Sequence, residues 1–143
     1  MNTWIVSLVL MLTVGCSSAP SDMVTMDPLT PEEVGALTHA TTSLFLMERN
    51  VSPDQAKKIV LYIQGMQAVL ATSSASDVAS LRTELVEHVP AEWQPLAEVS
   101  WVLLLNRIHL DVLMQTGQSD QVRAYLAATL NGALQAANSR AVR

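Results

Sequence analysis

Leu29-Thr30-Pro31-Glu32-Glu33-Val34 reads as a hydroxyl, a proline and two acids between apolar residues. At a helix start the Thr30 hydroxyl accepts from a free backbone N–H, and Pro31 takes the first helical position, where no N–H is needed. Glu33 reaches back to the cap and closes a capping box, while both acids face the positive end of the helix dipole. Val51-Ser52-Pro53-Asp54-Gln55-Ala56 comes 22 residues later in the same order, with Ser52 as cap and Gln55 closing the box. The residues beyond each start differ, and two copies are too few for a stacked array. They are two helix starts within one domain.

From these starts the first helix runs from Pro31 to Arg49, with Val34, Leu37, Thr41, Leu44, Phe45 and Met47 expected near its buried side, and Asn50 ends it. In the second, Pro53 to Thr72, Ile59, Tyr62, Ile63, Met66, Val69 and Leu70 recur at three and four, and Lys57, Lys58, Gln64 and Gln67 fall elsewhere. Ser73 to Ser76 is a loop. Asp77 then opens a third helix with Val78, Leu81, Leu85 and Val89 on one face, and Pro90 stops it.

Residues 91 to 115 are the most apolar part of the chain behind its leader, and only Ser100, Arg107, Asp111 and Gln115 draw a narrow polar line along them. A surface so widely apolar is expected on one central helix, with Arg107 and Asp111 pairing at i and i+4. Gly117 ends that helix, and Ser119 caps a last one rich in small residues, where Ala124, Ala127, Ala128, Gly132, Ala133, Ala136 and Ala137 would let neighbours approach its backbone closely. No segment alternates as a strand does. The expectation is an all-α fold, a single bundle of about five short helices over residues 29 to 143.

The chain has 143 residues, half of them apolar, yet only one Phe, two Tyr and three Trp, so its core is aliphatic. Thirteen acids against eight Lys and Arg give a net charge of −5, the wrong sign for neutralising phosphates along a nucleic acid. A single cysteine rules out an intramolecular disulfide and a thiolate zinc cluster.

No charged side chain occurs before Asp22, and residues 4 to 14 form an apolar run too short to span a membrane. Such a run matches the apolar region of a secretory signal. It ends at Leu12-Thr13-Val14-Gly15-Cys16, which resembles the lipobox of bacterial lipoproteins, with Thr13 where that family usually has Leu. The resemblance implies cleavage between Gly15 and Cys16 and a diacylglycerol on the Cys16 sulfur. Ser17 after the cysteine resembles the default that favours the outer membrane over the inner one. Residues 1–15 are then a signal peptide, and residues 16–28 a lipidated cysteine and a tether holding the domain about 20 Å from the lipid.

His39, His88 and His109 fall on three different helices, and no pair has the i, i+4 spacing of a shared metal. No phosphate-binding glycine loop, G-x-S-x-G or HExxH occurs, so the sequence assigns no catalytic residue, no metal and no cofactor. Trp101 reads as core. Trp93, in the turn before Pro95, is a possible partner contact, since Trp is enriched at binding hot spots.

Address and composition together indicate a non-enzymatic, lipid-anchored protein that binds another envelope protein, as a piloting module would, at the periplasmic membrane face. Two alternatives stay open: a phage or mobile-element lipoprotein that blocks a receptor or injection step, and a hydrophobic-ligand carrier or enzyme with its pocket inside the bundle.

Overall fold

A computed structural model describes residues 29–142. The signal peptide, the cleavage site at Gly15 and Cys16, and the tether lie outside the described residues. Six helices and no strand occur among the described residues: α1 (Pro31–Glu48), α2 (Pro53–Thr72), α3 (Val78–Val86), α4 (Gln94–Ile108), α5 (Leu110–Gln115) and α6 (Ser119–Ala141). The all-α class holds, with one helix more than the five expected.

Both capping boxes form as the sequence predicts. Thr30 Oγ1 accepts from the Glu33 N–H at 3.3 Å while Glu33 Oε2 accepts from the Thr30 N–H at 2.7 Å. Ser52 and Gln55 repeat the exchange at 3.3 and 2.9 Å. α1 ends at Asn50, whose φ of 50° lets the Val51 N–H reach back to the Leu46 carbonyl at 3.1 Å. The same geometry packs Val51 against Leu46 in one buried cluster, the apolar contact that accompanies such a left-handed stop. Gly117, at φ 77°, ends α5 in the same way, with the Gln118 N–H donating to the Leu113 carbonyl at 2.8 Å.

Where the structure departs from the sequence expectation, small residues and backbone breaks are the cause. α6, and not the apolar stretch 91 to 115, is the central helix, packing against α1, α2 and α5. Gly35 of α1 and Gly132 of α6 allow the two backbones to touch, and this contact rotates α1. Val34, Thr42 and Leu46 are buried, whereas Leu37, Leu44 and Met47 are exposed at 50, 64 and 58 %. The expected single helix over 91 to 115 is divided at His109, which adopts the left-handed conformation (φ 54°, ψ 49°) and separates α4 from α5. Arg107 and Asp111 therefore belong to different helices. Ser119 is the first residue of α6 rather than its cap, because Gln118 occupies the cap position and makes no side-chain hydrogen bond there. α3 stops at Val86, and two turns carry the chain to Pro90.

α6 also holds the backbone ends of its neighbours. Arg123 donates to the Leu70 and Ser73 carbonyls at 2.7 and 2.6 Å, closing the C-terminus of α2. Arg140 Nε donates to the Val51 carbonyl at 2.8 Å, and the Tyr125 hydroxyl to the Leu29 carbonyl at 2.7 Å. Charged donors on the last-turn carbonyls satisfy acceptors that the helices themselves leave free. Two buried clusters result, one around Leu81, Leu110 and Val122 and the other around Leu46, Ala56 and Ala137, with Met66 and Leu130 packed against both.

Candidate functional site

α4 is set apart from the rest of the bundle. Among the described residues the close helix-to-helix backbone pairings of α4 are with α5, and between α4, α1, α2 and α6 lies a partly open cleft with a cavity volume of about 150 Å³. Thr38, Thr42 and Leu46 of α1 and Ile59, Tyr62, Ile63 and Met66 of α2 form two walls. Leu126, Leu130 and Ala133 of α6 make the floor. Trp93, Ala97, Trp101 and Leu104 come down from α4 as a roof at spacings of four, four and three, and Leu85, Val86, Val89 and Pro90 close one end.

The chemistry of this lining is uniform. Among the described residues no Asp, Glu, Lys, Arg or His side chain contributes to it. Two of its polar tips are engaged elsewhere: the Thr38 hydroxyl donates to the Val34 carbonyl at 2.8 Å, and Trp93 Nε1 donates to Glu92 Oε1 at 2.9 Å; Thr42 and Tyr62 bring hydroxyls to the lining as well. Engineered apolar cavities of this size in other proteins take apolar guests. Among the described residues no three His, Cys, Asp or Glu side chains come together as a metal site would require.

No family model, curated protein or solved structure matches this chain.

Trp93 is half-buried and packs edge-on against Phe45, with ring centroids 5.6 Å apart at 66°. The Arg49 guanidinium in turn sits 5.4 Å from the Phe45 centroid, so a cation and two aromatic rings stand in series beside the cleft. Trp93 thus belongs to the wall of a cavity, which is more specific than the turn contact its sequence position suggests. Trp101 is 8 % exposed and lies in the core, as its sequence context indicates. The histidines do not converge: His88 Nδ1 lies 3.0 Å from the Glu84 carbonyl at the end of α3, His109 forms the break between α4 and α5, and His39 Nδ1 is buried without a partner.

The roof carries one polar tie. Arg82 of α3 pairs with Glu98 of α4, both half-exposed, and among the described residues this is the one ion pair that joins two helices. Sequence reasoning misses the cleft because alanines make it: Ala97 and Ala133 leave room where their neighbours supply bulk, and nothing in a 3.6-residue period marks a gap. The signal that was available is that both tryptophans behind the leader flank one proline-interrupted apolar stretch.

Proposed function

We propose that this chain is a non-enzymatic, lipid-anchored binding module at the periplasmic face of a bacterial envelope membrane, with the cleft beneath α4 as its binding site. The observation that carries the reading is the predominantly apolar lining drawn from five helices. Proton transfer or nucleophilic attack needs a positioned titratable group, and among the described lining residues Tyr62 is the one titratable side chain, with no carboxylate, imidazole or amine beside it. Tight packing is the default of protein interiors, so a cavity of about 150 Å³ at the junction of α1, α2, α4 and α6 is a feature that asks for an occupant. The address rests on Gly15 and Cys16, whose setting resembles a lipobox.

Of the alternatives left open by the sequence, the cleft favours capture of a hydrophobic ligand. The second reading, an envelope protein partner, is supported by the outer face of α1, where Leu37, Leu44 and Met47 are exposed.

The test is a photo-crosslinking residue placed in living cells at Ala133, inside the cleft, and separately at Leu44, on the outer face of α1. A low-mass adduct from position 133 supports the leading reading. A protein-sized adduct from position 44, with none from position 133, overturns it in favour of the second.

A further inference from the structure

The cleft extends along three helices. It is lined along α1 from Thr38 to Leu46, along α2 from Ile59 to Met66 and along α6 from Leu126 to Ala133, stretches of about 10 to 12 Å at the rise of an α-helix. A cavity of about 150 Å³ drawn out over that length matches the width of one hydrocarbon chain better than that of a fused ring system. The wall also discriminates by polarity. A peptide strand or loop would bring backbone N–H and C=O groups that find no partner here, at a cost in free energy, whereas an alkyl chain asks for no hydrogen bond.

The roof has the construction of a moving part. α4 begins after a tight turn in which the Trp93 N–H donates to the Pro90 carbonyl at 2.9 Å, and it ends at the left-handed His109. Both ends are breaks at which a few dihedral angles can absorb a rotation. Among the described residues its close helix-to-helix backbone pairings are with α5, and its cross-helix ion pair is Arg82 with Glu98.

We infer that the cleft receives the end of a single alkyl chain, and that α4 is a hinged roof over it, held closed by the Arg82–Glu98 pair. This rests on the proposed reading of the cleft as the binding site. A free fatty acid and the acyl chain of a membrane lipid offer the same chemistry. Closing α4 over the chain removes its methylenes from water and places Trp93 and Trp101 against it, with affinity following the apolar area covered.

The experiment uses residues 16–143 with Cys16→Ser, which keep both cores and contain Trp93 and Trp101 as their only tryptophans. Bromine on an alkyl chain quenches an adjacent indole, so 11-bromoundecanoate should quench this fluorescence saturably, with one chain per protein. Ala133→Phe and Ala97→Leu fill the cleft from opposite sides. Each should weaken binding by tenfold or more while far-ultraviolet circular dichroism stays helical. Quenching by the free acid alone assigns a free chain as ligand, and quenching also by vesicles of brominated phospholipid assigns a lipid acyl chain. Glu98→Gln should speed uptake and release several-fold each and leave affinity within about twofold.

Unchanged rates in Glu98→Gln would overturn the roof. No saturable quenching, or quenching that survives both filling variants, overturns the alkyl site. If the crosslinker at position 133 still captures a low-mass ligand, only the alkyl assignment is lost; if it captures nothing, the reading of the cleft fails with it.

Discussion

Gly35 of α1 and Gly132 of α6 lie backbone to backbone, so close that a Cβ on Gly132 would overlap the Gly35 carbonyl oxygen and stand 3.0 Å from the His39 nitrogen. This contact fixes how α1 is turned and hence which of its side chains reach the cleft. Thr38, Thr42 and Leu46 do, and Leu37, Leu44 and Met47 do not.

Gly132→Ala should therefore destabilise the bundle by about 1 to 3 kcal/mol, the usual cost of overpacking, even though alanine is the better helix former. The obstructing atoms are backbone and cannot step aside by a rotamer change. Gly35→Ala should cost less, because its Cβ would meet the Ala128 carbonyl oxygen at 3.2 Å. Urea unfolding monitored by circular dichroism gives both values, and equal costs would contradict the asymmetry.

The arginines of α6 supply a second test. Arg123→Ala leaves the Leu70 and Ser73 carbonyls without their charged donor and should cost about 2 kcal/mol or more. Arg123→Lys should restore only part of it, since one ammonium does not reproduce the two-pronged guanidinium geometry. Full recovery in Arg123→Lys would show that charge alone matters at this position.

Core truncations should separate the packed interior from the cleft. Leu81 and Leu110 are fully buried, and either Leu→Ala change should cost about 2 to 5 kcal/mol by opening a new cavity. Leu104 already borders empty space, so Leu104→Ala should fall at the low end of that range. A cost at Leu104 equal to or above that at Leu81 would mean that the cleft is closed in solution.

Asp77 caps α3, its carboxylate accepting from the Ser80 N–H at 2.8 Å and from the Ser80 hydroxyl at 2.7 Å. These hydrogen bonds, the backbone one foremost, hold its pKa below the ordinary 3.8. A carboxyl with a lowered folded-state pKa contributes stability that is complete above the unfolded value and lost as pH falls through the folded one. Asp77→Ala should thus lower Tm modestly at pH 7, and the difference from wild type should shrink once pH drops below 3.8. A difference that persists in strong acid would assign the effect to something other than the carboxylate.

Cys16→Ser should release the domain from the membrane fraction and abolish palmitate labelling, because a short tether and an acidic domain offer no other strong anchor. Among the described residues no helix is long and apolar enough to cross a membrane. A Cys16→Ser variant that stays equally membrane-bound would end the lipoprotein reading.

Local chemistry made much of this fold legible in the sequence. Both capping boxes, the Asn50 and Gly117 stops and the Asp77 cap depend on residues within a few positions of one another, and each forms where its sequence places it. Relations set across the bundle were not legible. Hydrophobic period alone assigned Leu37, Leu44 and Met47 inward, but two glycines in contact outweighed three large side chains by allowing a closer backbone approach. His109 carries no marker of a helix break, being neither glycine nor proline, yet it adopts the left-handed conformation. Of the site, Trp93 and Trp101 could be singled out for their rarity. The space between them is set by the standoff of α4, which no single segment encodes.

The most direct measurement of the central claim, that a dry apolar cleft lies beneath α4, is methyl nuclear magnetic resonance of the Cys16→Ser domain under xenon pressure. Xenon enters apolar cavities of this size without needing the natural ligand. The methyl groups of Leu104, Leu126 and Leu130, which line the cleft, should shift with xenon and saturate, while those of Leu81 and Leu110 stay fixed and Ala133→Phe removes the response. Uniform small shifts across all five leucines, or none, would contradict the cleft and with it the binding function built on it.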